Sequence, residues 1–300
     1  MSIASPSTAS DDALQSAAME YTAPDDRYVD FCLWEYTPPA SPAGKLRAVN
    51  LLNHSFQIAG ARSAVPHVCR AIREALGSFR TVWGVKYTGG RLSWELYFYD
   101  YGRLERTVSV SRLVEALGTL LACRLRYDER HPYFMFSIDL DEAHLLGGGA
   151  LDEINIYIGN VGSDVSSGLC YALTDAGLEL DNLYCFFDAA DHETIVAKLA
   201  CSAHIELPRL DPGELLWPEL LDCKTVVVAN KKRCDGLYFS RIDVHQLVAF
   251  MRRVQMPHAL RHFVDGHAAQ LDHLLFDVGY DYVMRDGRIV VLKSSYYGVF

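Results

Sequence analysis

Two carboxylates lie within segments that are otherwise largely apolar or aromatic, and a carboxylate in such surroundings can take part in proton transfer. Glu95 lies in "LSWELYFYDY" (92–101), and Asp139 lies in "YFMFSIDL" (133–140). In an enclosed site, either carboxylate could act as a general base or orient a bound molecule. The alternative role is a structural hydrogen bond with a buried tyrosine. The residues alone leave both roles open.

Polar and aromatic side chains alternate with apolar ones along several segments, which predicts β-strands with two different faces. In "INIYI" (154–158), three isoleucines alternate with an asparagine and a tyrosine. Because successive side chains of a strand point to opposite faces, the two sets cannot share a face. By the same rule, the polar and aromatic residues of each strand share its inward face. These residues are Glu95, Tyr97, Tyr99, Glu153, Asn155, Tyr157, Asn182, Tyr184 and Phe186.

Lys86 shares a strand face with Gly84 in "FRTVWGVKY" (79–87), and we expect that face to point inward. A solvated lysine is the alternative interpretation. Tyr157, Tyr184 and Tyr238 could offer hydroxyl groups and ring faces to a ligand, whereas simple packing is the alternative for each ring.

Turn signals divide the chain into strand pairs separated by helical segments. Gly-Gly and Asp-Gly are typical of tight hairpin turns, because such turns need a positive φ. The predicted pairs are 79–87 with 92–101, 133–140 with 151–159, 167–175 with 178–187, 224–230 with 236–242, and 277–285 with 288–300. Helical spacing of apolar residues predicts helices over 64–76, 110–125, 192–200, 244–254 and 258–275. Asp243 and Gln246 have the spacing of a capping box.

Five hairpins supply ten antiparallel strands, and an open sheet of that size would leave exposed edges. Closure removes the edges, and helices can then cover an apolar outer face. We therefore predict an α+β protein: a closed ten-stranded antiparallel β-barrel of five hairpin repeats with helices packed outside. Residues 28–300 are predicted to form this single domain, after a mobile N-terminal tail of residues 1–27. A barrel of this width can hold a small molecule.

Composition excludes several classes of partner. The formal net charge is −10 over 300 residues, so we expect no binding to nucleic acid or to an anionic membrane surface. The eight cysteines form no CxxC pair, which predicts free thiols in a reducing compartment. The N-terminus has no secretory h-region, and no apolar run reaches membrane-spanning length. We expect a cytoplasmic monomer that does not insert into a membrane.

Motifs for metal, nucleotide or acyl-transfer sites are not found in the sequence. His258 and His262 are four residues apart, but no HExxH motif or cysteine partner accompanies them, so we predict no metal-binding histidine site. The "GGG" of residues 147–149 lacks the GxGxxG pattern, and no GxSxG motif occurs.

Four short motifs along residues 79–300 resemble those of the aromatic prenyltransferases of the ABBA, or PT-barrel, family. They are "GRLSWELYF" (90–98), "MFSID" (135–139), "KKRCDGLYFS" (231–240) and "LKSSYY" (292–297). The resemblance implies a barrel of ten antiparallel strands built from five αββα-type repeats. It also implies an enzyme that moves an allylic prenyl group from a prenyl diphosphate to a small aromatic acceptor inside the barrel.

What the resemblance implies for the site is a set of cations around the diphosphate and aromatic faces around the allyl cation. Lys293 corresponds to the lysine of the family's closing strand, and Lys86 would join it. The predicted catalytic residues are Glu95 and Asp139. The predicted substrate-binding residues are Lys86, Lys293, Tyr97, Tyr99, Asn155, Tyr157, Asn182, Tyr184, Tyr238 and Arg233.

The chain departs from the family at two positions where a cation is expected. Glu153 lies where the family tends to place a lysine, and Gly236 lies where it has an arginine. Arg233, in a turn, or Arg241, at a strand end, could compensate for the second loss. Mg²⁺ held by Glu153 and Asp139 could restore positive charge, and no other cofactor is expected.

Three functions therefore stay open. The first is prenyl transfer to a small aromatic acceptor. The second is a binding or accessory protein of a biosynthetic pathway that holds a small aromatic or hydrophobic ligand without diphosphate chemistry. The third is an enzyme of another reaction type that uses Glu95 or Asp139 as its base.

Overall fold

Ten antiparallel strands close into a barrel in this computed structural model, which confirms the predicted fold class. The first and last barrel strands complete the ring, with Gly84 opposite Tyr297. Two short strands, β3 and β5, pair in parallel outside the barrel. The strands are β1 (Thr81–Thr88), β2 (Arg91–Tyr99), β3 (Ala122–Cys123), β4 (Met135–Leu140), β5 (Ala150–Leu151), β6 (Ile154–Gly159), β7 (Ser167–Thr174), β8 (Gly177–Asp188), β9 (Thr225–Lys231), β10 (Asp235–Ile242), β11 (Phe276–Arg285) and β12 (Arg288–Val299).

The structure describes residues 19–60, 65–102, 106–118, 120–145, 149–160, 163, 165–205 and 211–300. Most of the predicted tail, residues 1–18, lies outside these ranges, as does most of the "GGG" segment. Within the predicted tail, Asp26 accepts two hydrogen bonds from the Arg47 guanidinium, at 2.6 and 2.7 Å. Glu20 forms an ion pair with Arg73 at 2.9 Å.

The described residues contain eight α-helices, whose bounds differ in part from the predicted ones. Helix α1 was not predicted, because no side chain caps its first turn and the usual start signal is missing. The helix predicted over 110–125 ends at Leu117, where Gly118 lowers helix propensity. The helices are α1 (Val49–Ile58), α2 (Val65–Leu76), α3 (Val110–Leu117), α4 (Glu142–Leu145), α5 (His192–Leu199), α6 (Val244–Arg253), α7 (His258–Gly266) and α8 (Ala268–Leu271).

Helix α6 begins as predicted. The Asp243 carboxylate accepts from the Gln246 backbone N–H at 2.8 Å, and the Gln246 side chain accepts from the Asp243 N–H at 2.9 Å. This reciprocal pair satisfies two N–H groups that no helical carbonyl can reach.

The main apolar core lies between the barrel and its helices. The outward residues Ile154 and Ile156 are fully buried there, and so are Leu113 and Leu117 of α3. The indole of Trp94 on β2 donates to the Ser55 hydroxyl on α1 at 2.7 Å. Burial of an Ile or Leu side chain contributes about 1.5–3 kcal/mol, so this shell, not the lumen, supplies most of the barrel's stability.

Helix length and the state of the cysteines can both be compared with the sequence. Among the described helices, none is long and apolar enough to cross a membrane. All eight cysteines are free, as predicted.

Candidate functional site

Strand alternation separates the lumen from the outer core. A second apolar cluster inside the barrel includes Tyr99, Tyr157 and Tyr297, and it is distinct from the core under the helices. Glu95 is also buried, at 5% exposure. The predicted inward face of β2 is therefore the luminal face.

A cavity of about 410 Å³ opens at the end of the barrel that carries the hairpin turns, which we call the upper end. Of the predicted site residues, only Tyr99 does not line this cavity. The others that line it are Glu95, Asp139, Lys86, Lys293, Tyr97, Asn155, Tyr157, Asn182, Tyr184, Tyr238 and Arg233. Arg233 is exposed at the mouth, whereas Lys86, Lys231 and Lys293 are partly buried.

Two lysines share one carboxylate on one side of the cavity. Lys231 on β9 and Lys293 on β12 each lie 2.8 Å from an oxygen of Asp281 on β11. Lys231 also donates to the Tyr238 hydroxyl at 2.9 Å, and that hydroxyl donates to Asp281 at 3.2 Å. This group, the Asp281 cluster, carries one formal positive charge in excess.

The pKa values in the Asp281 cluster follow from burial and charge. Burial alone would raise the pKa of Asp281, but attraction by Lys231 and Lys293 outweighs burial and lowers it. Burial lowers the pKa of Lys293, and repulsion by Lys231 lowers it further. Lys293 therefore holds its proton less firmly than an exposed lysine does.

The opposite arrangement occurs on the other side of the cavity, where two carboxylates share one lysine. Lys86 Nζ on β1 lies 2.5 Å from Glu95 Oε2 and 2.5 Å from Asp139 Oδ1. Ser137 donates to Glu95 Oε1 at 2.5 Å, and the Asn155 amide lies 3.4 Å from Asp139 Oδ2. This Lys86 cluster, formed by Lys86, Glu95 and Asp139, carries one formal negative charge in excess.

The two carboxylates of the Lys86 cluster differ in proton affinity. Burial opposes ionisation of Glu95, but attraction by Lys86 outweighs it, so the pKa of Glu95 is lowered. The pKa of Asp139, whose side chain is 49% exposed, is raised by partial desolvation and then by repulsion from Glu95. Glu95 is consequently the more acidic of the two carboxylates.

Five tyrosines form a closed belt around the lumen below the lysines. Their ring centroids follow one another at 6.0–6.5 Å, so that each ring contacts two neighbours. Burial raises the pKa of each hydroxyl, in the case of Tyr297 to about 12, and the hydroxyls stay protonated at neutral pH. The members of this tyrosine belt are Tyr97, Tyr157, Tyr184, Tyr238 and Tyr297.

Two rings of the tyrosine belt lie against glycines on the neighbouring strands, where any larger residue would overlap the ring. A β-carbon at Gly279 would lie 2.1 Å from Tyr238 Cδ1, and one at Gly84 would lie 2.7 Å from Tyr297 Cε1. Real β-carbon contacts do not reach these distances, so both positions require glycine for the observed ring positions.

An apolar chamber of about 100 Å³ lies below the belt. Tyr99 lines this chamber rather than the upper cavity, and its hydroxyl donates to the Phe31 carbonyl. Phe31 belongs to residues 28–36, the N-terminal strap, which covers the lower end of the barrel. Arg241 Nε donates to Asp30 of the strap at 2.9 Å, which ties the strap to the end of β10.

Sequence reasoning missed three members of the Asp281 cluster and the tyrosine belt: Lys231, Asp281 and Tyr297. The sequence pattern placed Lys231 in a turn. In the structure, Lys231 is the last residue of β9 and lies on the same face of that strand as Val227. Asp281 shares its face with Asp277 and could have been found by counting in steps of two. Gly236, where the family has an arginine, lies beside Asp281, with which Lys231 is paired.

The proposed Mg²⁺ ligands do not form a metal site. Both oxygens of Asp139 already face donors, Lys86 and the Asn155 amide. Among the described residues, no three His, Cys, Asp or Glu side chains are arranged to hold a metal ion. Mg²⁺ prefers near-octahedral oxygen coordination, which Asp139 and Glu153 alone do not offer.

Comparisons with known proteins add no assignment to this geometry. No protein-family model matches the chain, and no curated protein matches it. The closed ten-stranded antiparallel barrel is consistent with the PT-barrel fold, and this agreement concerns the fold alone.

Proposed function

We propose that the protein is an aromatic prenyltransferase that moves an allylic prenyl group from a prenyl diphosphate to a small aromatic acceptor inside the barrel. The observation that carries the proposal is the position of the Asp281 cluster directly above a closed belt of five tyrosines. Departure of an anionic leaving group and stabilisation of a carbocation need these two environments side by side.

The Asp281 cluster is the diphosphate side in this proposal. Lys231 and Lys293 have one carboxylate between them, so one positive charge is available to an anion. Hydrogen bonds between ammonium groups and phosphate oxygens are charge-assisted, and they strengthen as the leaving group gains charge. Arg233 at the mouth adds a further cation close to solvent.

The tyrosine belt is the cation side. Aromatic faces attract a positive charge within about 6 Å of their centroids. A lumen closed by its strands, and covered below by the strap, limits the water that could capture the allyl cation. The apolar chamber below the belt suits a hydrocarbon group rather than a charged one.

Glu95 is the group proposed to meet the acceptor. The bond between the allyl carbon and the diphosphate oxygen breaks, and its electron pair leaves with the diphosphate. A ring carbon or heteroatom of the acceptor then bonds to the allyl carbon. The proton that the acceptor loses passes to the ionised Glu95 carboxylate.

A second candidate function is binding of a small aromatic or hydrophobic ligand without diphosphate chemistry. This second function is favoured by the charge balance inside the cavity, because three of its lysines are ion-paired with three of its carboxylates. The six residues are Lys86, Lys231, Lys293, Glu95, Asp139 and Asp281.

Calorimetry with inorganic diphosphate, followed by product analysis, distinguishes the two functions. We expect the wild type to bind diphosphate, and Lys231→Met to weaken binding about tenfold or more, since a hydrogen bond to a charged group contributes ~1.5–3 kcal/mol. The matched control is Lys224→Met, because Lys224 is also ion-paired, with Asp188 at 2.7 Å, but is exposed.

Incubation of dimethylallyl or geranyl diphosphate with a panel of phenols and indoles then tests transfer. Prenylated product and released diphosphate would support the enzyme. Absence of diphosphate binding and of product in every combination would refute it. A bound aromatic ligand whose affinity is unchanged in Lys231→Met would support the second candidate.

A further inference from the structure

Lys86 differs from Lys231 and Lys293 in what it contacts. Its Nζ is paired with two carboxylates, Glu95 and Asp139, both at 2.5 Å. Lys231 and Lys293 show the reverse ratio, with two ammonium groups on one carboxylate. An approaching diphosphate is therefore attracted to one side of the cavity and repelled from the other.

We propose that Lys86 is a positioning residue that acts through Glu95, and that it does not bind the diphosphate. The inference rests on the proposed function, because it assigns Lys86 to the acceptor side of the same reaction. It also revises the expectation that Lys86 and Lys293 hold the diphosphate together.

The contacts of Glu95 support this role. Oε2 is held by Lys86, while Oε1 accepts from the Ser137 hydroxyl and lies 3.4 Å from the Tyr157 hydroxyl. The Glu95 side chain is 6% exposed, so water cannot replace Lys86 as its counter-charge. A buried carboxylate without a partner takes up a proton instead of remaining ionised. Lys86 therefore keeps Glu95 able to accept a proton.

Glu95 has charged or titratable neighbours on each strand that faces it. Lys86 is the cation in direct contact, and Asp139 is the anion on the adjoining strand. Glu153, at the cavity mouth, is a second anion, while the tyrosines and the cysteine are neutral at pH 7 because burial raises their pKa values. The full set comprises Lys86 on β1, Tyr97 on β2, Asp139 on β4, Glu153 just before β6, Tyr157 on β6, Cys170 on β7, Tyr184 on β8, Tyr238 on β10 and Tyr297 on β12.

Lys86 does not alter which bonds form and break in the proposed transfer. The acceptor forms a bond to the allyl carbon and gives up one proton, which Glu95 accepts. Lys86 stays protonated before and after the step, so it neither gives nor takes a proton. Its effect is on the position and ionisation of the Glu95 carboxylate.

The first test compares inorganic diphosphate binding by calorimetry in Lys86→Gln and Lys231→Gln. We expect Lys86→Gln to weaken diphosphate binding much less than Lys231→Gln, which should bind about tenfold or more weakly, because only Lys231 would contact the anion. Equal weakening in both variants would overturn the inference. Lys86→Gln keeps a hydrogen-bond donor beside Glu95, and Lys86→Arg, which keeps the charge, is the conservative variant.

The second test is the pH profile of kcat/KM with dimethylallyl diphosphate and a phenol. In Lys86→Gln the acidic limb should move to higher pH by about one unit or more, because an opposite charge at this distance shifts a pKa by about 1–3 units. Lys86→Arg should restore the wild-type profile. An acidic limb that stays in place in Lys86→Gln would refute the positioning role.

A direct measurement separates this inference from the proposed function. The Glu95 carboxyl resonance can be followed by carbon-13 NMR and assigned by its loss in Glu95→Gln. If the wild type binds no diphosphate, the proposed prenyl transfer fails, and the NMR titration decides the link between Lys86 and Glu95. A higher pKa of Glu95 in Lys86→Gln supports that link, and an unchanged pKa overturns it.

Discussion

Asp277 is a buried acid at the lower end of the lumen, and replacing it should change how stability depends on pH. Its side chain is close to Asp30 of the strap, and its Oδ1 accepts from the Arg241 backbone N–H at 3.1 Å. Burial, and then repulsion by Asp30, raise the pKa of Asp277 from 3.8 to about 7. Hydrogen bonds from Ser240 and from backbone N–H groups favour the ionised form without offsetting burial.

Because the pKa of Asp277 is higher in the folded protein than in the unfolded chain, stability falls as pH rises. Asp277 binds its proton more tightly in the folded state, so its stabilising effect is complete below about pH 4 and is lost as pH rises to about 7. The complete change corresponds to ~4 kcal/mol, since each pKa unit is worth ~1.4 kcal/mol. Between about pH 5 and pH 8 the loss is ~3 kcal/mol.

The assay is urea unfolding of the wild type and Asp277→Asn, followed by tryptophan fluorescence at several pH values. We expect the variant to gain ~3 kcal/mol relative to the wild type between about pH 5 and pH 8, because asparagine cannot ionise. In Asp30→Asn, the loss of stability should move to lower pH, because repulsion on Asp277 is removed. A difference between wild type and Asp277→Asn that does not vary with pH would refute the reasoning.

Two further predictions test the belt and one helix. Gly279→Ala should destabilise the protein by ~1–3 kcal/mol in urea unfolding, because the new β-carbon would overlap the Tyr238 ring. The control Gly266→Ala has no atom within 4 Å of its β-carbon and lies in a helix, so it should be neutral or stabilise by up to ~1 kcal/mol; an equal loss in both variants would contradict the steric explanation. Asp243→Ala should cost about 1 kcal/mol by removing the cap of α6, and an unchanged urea midpoint would show that the capping box contributes nothing.

Strand pairing and the inward faces could be predicted because they depend on local rules. Gly89-Gly90 reverses the chain between β1 and β2, and both glycines have positive φ. Alternation then assigned Glu95, Tyr97 and Tyr99 to one face without knowledge of their partners. The prediction of one long helix over 258–275 was wrong in two respects: the helix divides at His267, whose φ of −110° interrupts it, and its second part ends at Leu271.

Which side chains meet in the upper cavity was less predictable, because strand irregularities and closure of the barrel decide it. A bulge shifts the register of β11 and β12, where Asp281 pairs with Lys293 and the next residue, Tyr282, pairs with Val291. Counting in steps of two fails across such a bulge, since one strand gains a residue. The extra residue is Leu292, so Lys293 keeps the luminal face of Ser295 and Tyr297, whereas Val291, two residues before Lys293, pairs with Tyr282 on the other face.

The sequence by itself determined the ten strands, their hairpin turns and most of the luminal side chains, because turn chemistry and a two-residue period act over a few neighbouring residues. Only the tertiary structure decided which charges meet. Lys231 and Asp281 are 50 residues apart, and Lys86 and Asp139 are 53 apart, yet closure brings each pair within hydrogen-bonding distance. The partition of the cavity into a cationic and an anionic side depends on barrel register, which long-range packing sets.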